Sequence, residues 1–133
     1  MDKYGKQYEN GDDKFDSYGF KKKARKHQSI YRLDILKLPE YENYGNRLCK
    51  KDAKNGFNFY NGFGIFEEVL NYQKFNENKY QALFQDMLCS EHIPFNFFVP
   101  FYENRNLLKN VFNEILKNII YSIDLIKIEY KKK

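Results

Sequence analysis

The chain has 133 residues, of which 42% are hydrophobic and 19% aromatic, and its formal net charge is +5. This hydrophobic content suffices for a folded core and argues against a disordered chain, while the length predicts one domain. No apolar run reaches the roughly 18 residues that a membrane-spanning helix needs. Two cysteines are too few for a disulfide framework, so we expect a cytoplasmic protein.

Residues 1–19 combine acidic residues, lysines and tyrosines with little hydrophobic periodicity. This pattern is typical of a mobile tail. Its tyrosines, Tyr4, Tyr8 and Tyr18, could still dock on a partner or on the body of the protein. We expect residues 20–133 to form a single α+β domain of about four helices, packed on an aromatic-rich segment and a small sheet.

The first predicted helix runs from Phe20 to Leu38 and ends before Pro39, because the residue preceding a proline avoids helical geometry. Apolar and aromatic side chains recur along it with helical spacing, which predicts an inward face. The residues expected on that face are Phe20, Ala24, His27, Tyr31, Ile35 and Leu38.

The opposite face of this helix is strongly basic, with no acidic residue between Lys21 and Arg32. Such a face can simply be solvated, or it can follow the phosphates of a nucleic acid. Positive charges in the first turns also oppose the helix macrodipole, which favours a use for them. The residues predicted to bind nucleic acid are Lys21, Lys22, Lys23, Arg25, Lys26 and Arg32.

The middle of the chain is predicted to be a loop followed by two helices. Residues 40–58 have no helical period and contain turn signals, so we assign them to a loop. A second helix is predicted over Phe57–Tyr72, and a third begins after Asn76 or Asn78. Their expected inward residues are Phe59, Phe63, Phe66 and Leu70, then Tyr80, Leu83, Phe84, Met87 and Leu88.

The stretch Leu83–Phe101 is expected to organise the fold. Its second half lies between Pro94 and Pro100, which predicts an edge strand or an extended core-lining segment over Phe95–Phe101. A long apolar stripe predicts a helix over Asn104–Ile120, and alternation predicts a strand over Ser122–Tyr130. A sheet this small exposes its edge, so we predict a homodimer or a partner-bound subunit.

Three groups of residues could carry chemistry. His27, Cys49, Cys89 and His92 lack the close spacing of zinc ligands, so no metal site is predicted. Neighbours in Cys89-Ser90-Glu91-His92 rarely reach nucleophile–base geometry on a turn, so no catalytic residue is predicted there. Glu129 and Lys131 form a Glu-x-Lys at the end of a predicted strand, the arrangement by which PD-(D/E)XK nucleases hold a divalent metal.

Several segments resemble the N-terminal part of a bacterial restriction-endonuclease-like family of the PD-(D/E)XK superfamily. That family shows a helix with Arg-x6-Arg, an Asn-Phe step and a Leu-Ser-Ser-Gln-Pro-x-x-Phe-Asn-Leu-Phe-like segment. The matching residues are Arg25 and Arg32, Asn58-Phe59, and Phe95-Asn96-Phe97-Phe98. The Ser-Ser-Gln-Pro portion is replaced by Cys89-Ser90-Glu91-His92, with the proline displaced to Pro94.

The resemblance implies that the family's catalytic aspartate and Glu-x-Lys lie downstream of the strand ending at Tyr130. The expected chain is therefore a truncated nuclease-like domain without catalytic residues, metal or cofactor. We predict a non-enzymatic accessory protein of a bacterial defence system, such as a CRISPR effector or restriction complex, which bridges or stabilises a nucleoprotein enzyme. The alternatives are a minimal metal-dependent nuclease using Glu129 and Lys131, and a phage-encoded inhibitor that mimics a nuclease fragment.

Overall fold

The computed structural model describes residues 2–8, 16 and 18–128. Within these residues the chain forms six α-helices and no β-strand, so the predicted α+β class with a small sheet was wrong. Extended pairing there is limited to two isolated bridges, Tyr41 with Leu48 and Arg47 with Asp86. The helices are α1 (Phe20–Ile30), α2 (Lys50–Lys54), α3 (Ile65–Tyr72), α4 (Ala82–Gln85), α5 (Ile93–Phe98) and α6 (Arg105–Leu116).

The aromatic segment predicted as an edge strand is helical. It consists of α5 followed by a 3-10 turn over Val99–Phe101. Pro94 and Pro100 each fall in the first turn of their element, where the missing N–H has no intrahelical partner to lose. Phe95 and Val99, four residues apart, are both buried, so the apolar run has a helical period rather than a strand period.

The predicted C-terminal strand is also not observed over residues 122–128, which follow α6 without regular structure. Glu129 and Tyr130 of that strand lie outside the described residues. The predicted helix before it is confirmed over most of its length. Asn104 caps α6, and its side-chain oxygen accepts a hydrogen bond from the Leu107 backbone N–H at 3.1 Å.

The remaining helices agree with the predictions in part. The first helix is confirmed, with α1 continuing into a π-helical turn over Tyr31–Ile35. Helix α3 begins only at Ile65, after Gly64 in left-handed geometry, so the first part of the predicted second helix consists of turns. Helix α2 lies within the stretch that was predicted to be a loop.

The described residues fall into two compact units. The first comprises Met1–Asn58 and Lys74–Ser90, and the second comprises Phe59–Gln73 and Glu91–Lys133. The predicted limits of a tail over 1–19 and one domain over 20–133 stay a prediction. In the described residues, no helix has both the length and the hydropathy to span a membrane. The cytoplasmic location also stays a prediction.

The core of the first unit contains many polar side chains. Its apolar members include Leu48 and Phe84, both fully buried. Gln85 is equally buried and bonds to the chain on two sides, since its Oε1 accepts from the Gln81 N–H at 3.1 Å. Its Nε2 donates to the Leu48 carbonyl at 3.4 Å. Buried amides of this kind remain favourable only when they are hydrogen-bonded, and they fix one arrangement of the segments around them.

The core of the second unit is apolar. Val69 of α3 and Leu108 of α6 are both buried, and the ring of Tyr72 meets that of Phe95 edge to face at 5.5 Å. Aromatic pairs in this geometry contribute about 0.5–1.5 kcal/mol beyond the area that they bury. The unit is therefore held mainly by packing of α3, α5 and α6 together with the 3-10 turn after α5.

Residues 2–8 belong to the first unit and pack against the rest of it. The Tyr4 hydroxyl donates to Asp34 at 3.0 Å, and the Gly45 backbone N–H donates to the Lys6 carbonyl at 2.9 Å. The crossing at Gly45 is so close that a Cβ there would lie 2.0 Å from the Tyr4 carbonyl oxygen. Only glycine allows the two backbones this approach. Docking of N-terminal tyrosines on the body, which the sequence allowed, is observed for Tyr4.

Candidate nucleic-acid interface

Three lysines at the start of α1 are exposed to solvent. Lys21, Lys22 and Lys23 occupy the first turn, which contains no acidic residue. Asp16 supports this turn from outside the helix, because its side chain accepts a hydrogen bond from the Lys21 backbone N–H at 2.6 Å. The ammonium groups on the first turn oppose the helix macrodipole, so the arrangement adds positive potential where the helix is already positive.

Lys26 lies one turn further along α1 and forms an ion pair with Asp2. The hydrogen bond from Lys26 lowers the pKa of the Asp2 carboxyl, with a further contribution from the Tyr4 backbone N–H. Both side chains remain substantially exposed. Because both side chains are solvated, this ion pair contributes little to stability, and it places a negative charge beside Lys26.

The two arginines of the predicted site have a different role. Arg25 is buried, and its Nη1 donates to the Tyr8 carbonyl at 2.8 Å. Arg32 is completely buried, and its Nε donates to the Gly45 carbonyl at 2.8 Å while Nη2 donates to the Tyr4 carbonyl at 3.3 Å.

The remaining nitrogen of Arg32 completes this set of bonds. Its Nη1 donates to the carbonyl of Leu38 and, at 3.3 Å, to that of Glu40. Desolvation lowers the pKa of Arg32, which nevertheless stays charged because an arginine starts from so high a value. The structure thus separates the six predicted residues into four surface lysines and two buried arginines that anchor the chain.

The face of the first helix that was predicted to be inward is in fact largely exposed. Phe20 is 67% exposed, Tyr31 43% and Ile35 62%, while Arg25, Ser29 and Arg32 are buried. The physical reason is that residues 2–8 and the loop after the helix surround the polar face with backbone carbonyls. A guanidinium can satisfy several such acceptors at once, so the buried face of this helix is the one with arginines.

A second cation, Arg47, joins the same segments through aromatic rings. Its guanidinium carbon lies 4.9 Å from the centroid of Tyr8, 4.8 Å from that of Tyr44 and 4.4 Å from that of Tyr80. Asp86 supplies a carboxylate 3.9 Å from its Nε. Burial and this neighbouring carboxylate raise the pKa of Tyr80. Cation–π contacts of this kind hold the N-terminal segment in place, and sequence reasoning missed them because the partners are distant in sequence.

Sequence reasoning also missed a second lysine cluster in the first unit. Lys50, Lys51 and Lys54 of α2 line a cleft of about 460 Å³ together with Glu77 and Asn78. Lys54 pairs with Glu77 and lowers the pKa of that carboxyl, so the acidic residue in the cleft stays ionised. The available signal was the spacing of these lysines, since Lys54 follows Lys50 by four residues and Lys51 by three. A helix of five residues is too short for its period to be recognised in the sequence.

The candidate metal residues do not form a metal site within the described residues. His27 is exposed on α1, and Cys49 lies 3.2 Å from the Asp52 carboxylate. Burial raises the pKa of the Cys49 thiol, which disfavours the reactive thiolate. Cys89 belongs to the first unit and His92 to the second. In the described part of the chain, no group of three or more His, Cys, Asp or Glu side chains could hold a metal ion.

The described residues therefore form a helical fold with exposed lysines, whose positive charge suits a phosphate-containing ligand. A sequence model described as the PD-(D/E)XK nuclease superfamily matches residues 11–133. The chain belongs to this superfamily, which confirms the resemblance that the sequence suggested. No curated protein and no solved structure matches the chain. The two residues of the Glu-x-Lys motif, Glu129 and Lys131, fall within the match but outside the described residues.

The anchoring role of Arg32 predicts a large effect on stability. Arg32→Met should lower the free energy of unfolding by about 3 kcal/mol, since it leaves buried carbonyls without a donor. Urea unfolding followed by circular dichroism measures this, which suits a chain without tryptophan. The control is Lys22→Met on the exposed side of α1, which should change stability by no more than about 0.5 kcal/mol. Equal effects of the two substitutions would contradict the assignment.

Proposed function

We propose that this protein binds nucleic acid through the exposed lysines of α1 and serves as a non-catalytic accessory subunit of a nucleic-acid-processing enzyme. The observation that carries the proposal is the exposure of Lys21, Lys22 and Lys23 side by side, with no acidic residue in their turn. Membership of a nuclease superfamily supports nucleic acid as the partner of these charges. Exposed lysines suit phosphate contacts, which position a protein without reading sequence.

The buried arginines support the proposal from inside the protein. Because Arg25 and Arg32 bond to carbonyls of the chain itself, the position of α1 on the first unit does not depend on a ligand. The lysines are thus presented on a preformed surface. The α2 lysines add a second cluster on the same unit, and together the two clusters give the first unit several cations for an extended phosphate backbone.

The accessory role and its biological setting are also proposals. We infer a place in bacterial defence, with a CRISPR effector or a restriction complex as the enzyme that this protein bridges or stabilises. The homodimer expected from the sequence depended on an exposed sheet edge, and the described residues contain no sheet. Exposed apolar side chains on α6 instead support association with a partner or a second copy. They are Leu107, Ile115 and Leu116.

Removal of charge from α1 tests the binding of phosphate. The variant with Lys22→Gln and Lys23→Gln should bind duplex DNA more weakly, and the slope of log affinity against log salt should fall by about 0.9 for each phosphate that is no longer neutralised. The matched control is the double variant with Lys6→Gln and Lys37→Gln. Both lysines are also exposed on the first unit but lie outside α1. A salt slope that is the same in both double variants and in the unmodified protein would remove α1 from the interface.

A second candidate function is a metal-dependent nuclease. The observation that favours it is the superfamily match, which extends over Glu129 and Lys131. A divalent metal would need at least one further carboxylate beside Glu129. Within the described residues there is no ready-made group of three or more His, Cys, Asp or Glu side chains that could hold a metal ion. No catalytic step follows from these residues, and this function ranks below the accessory role.

The two functions differ in a cleavage assay. The nuclease alternative requires Mg²⁺-dependent cleavage of nucleic acid that Glu129→Ala abolishes. The accessory role predicts no cleavage at high protein concentration, with or without Mg²⁺. Glu103→Ala, which removes an exposed carboxylate elsewhere in the chain, is the control for contaminating nucleases. Cleavage that survives Glu103→Ala but not Glu129→Ala would establish the enzyme and contradict the accessory role.

A further inference from the structure

A small polar cleft lies in the second unit, between α6 and the segment that follows it. Its volume is about 190 Å³. One wall is the first part of α6, and the other is the irregular chain after the helix. The lining residues are Arg105, Asn106, Lys109, Tyr121, Ser122 and Ile123.

The segment that forms the second wall is fixed at both ends. On one side the Asn113 side chain makes two bonds to Ile120, donating to its carbonyl at 2.8 Å and accepting from its N–H at 2.9 Å. On the other side the Arg105 guanidinium donates to the Asp124 carbonyl. Residues 121–123 are therefore held between two attachments to α6, so the cleft is set by specific bonds.

The chemistry of the cleft combines one exposed aromatic ring with two cations. Tyr121 is 92% exposed, so its ring is accessible to a ligand at the edge of the cleft. Arg105 and Lys109 are four residues apart and so share one face of α6. Arg105 uses one N–H on the Asp124 carbonyl, and a guanidinium has further donors in the same plane.

We propose that this cleft binds one unpaired nucleotide of a single-stranded nucleic acid. The base stacks on Tyr121, and the phosphate pairs with Arg105 and Lys109. Sequence-tolerant binding of single strands uses this combination of an aromatic platform and a positively charged groove. Asn106 and Ser122 add hydrogen-bonding groups at the rim of the same cleft.

The geometry favours an unpaired base over a duplex. In a duplex both faces of a base are covered by its neighbours, so Tyr121 could not reach one without breaking a stack. A cleft of about 190 Å³ is also far too small for a duplex helix. The inference rests on the proposed binding of nucleic acid, but its site belongs to the second unit and includes none of the α1 lysines, which belong to the first.

Substitution of the aromatic ring tests the site. Tyr121→Ala should weaken binding of a short fluorescein-labelled oligothymidylate about 10-fold in an anisotropy titration, because it removes one base–aromatic stack. Tyr121→Phe keeps the ring and should stay within about twofold of the unmodified protein. Leu125→Ala is the matched control, since Leu125 is 74% exposed on the same segment but does not line the cleft.

A second measurement needs no variant. A single strand that carries one 2-aminopurine between two abasic sites should decrease in fluorescence when the unmodified protein binds it, because this base has no stacked neighbour until it stacks on Tyr121, which quenches it. Unchanged fluorescence at saturation would overturn the proposal, as would equal affinities of Tyr121→Ala and Leu125→Ala. Failure of the α1 proposal gives a different result from failure of this one. If only the α1 proposal is wrong, the Lys22 and Lys23 double variant binds nucleic acid normally, while Tyr121→Ala still binds single strands more weakly.

Discussion

The buried guanidinium of Arg32 is the interaction on which the first unit depends. It binds carbonyls from the N-terminal segment, from the loop after the first helix and from the turn at Gly45. A buried charge is tolerated only when its donors are satisfied, and here backbone oxygens accept its hydrogen bonds while the Asp52 carboxylate adds a favourable electrostatic contribution. The three segments are therefore fixed around one side chain. These bonds add to the stability of a core that also contains the polar side chains of Gln85 and Asn46.

This constraint also decides which side of α1 faces solvent. Because Arg25 and Arg32 point into the unit, the lysines that precede and alternate with them remain outside. The same helix thus has arginines that hold the chain together and lysines that are available for a partner. The difference follows from the chemistry of the two side chains, since a planar fork can satisfy several carbonyls whereas a hydrated ammonium favours the surface.

The sequence predicted the parts of the fold that depend on local signals. The start of α1 and the body of α6 were both readable from the helical spacing of their apolar residues. The orientation of α1 was not readable, because several of the carbonyls that bind Arg25 and Arg32 belong to Tyr4, Tyr8 and Gly45, which lie 13 to 28 residues away in sequence. The two prolines around Phe95–Phe101 misled for a related reason, since proline suits both a helix start and a strand edge.

Like the fold, the candidate site was predictable only where the sequence carries a local signal. The lysines at 21–23 stood out as an uninterrupted basic run, and the superfamily was visible from short motifs that the family match later confirmed. The α2 cluster and the Tyr121 cleft gave no such signal. Both depend on residues from separate segments, Glu77 in one case and Arg105 in the other, which only the folded chain places together.

The most direct test of nucleic-acid binding is to purify the protein at low and at high salt and to measure its mass in solution and its ultraviolet absorbance. The tyrosines give enough protein absorbance to make the comparison possible. We predict that nucleic acid copurifies at low salt and dissociates at high salt, because the protein binds phosphate. A preparation free of nucleic acid at both salt concentrations, which also fails to bind added DNA or RNA, would contradict the proposed function.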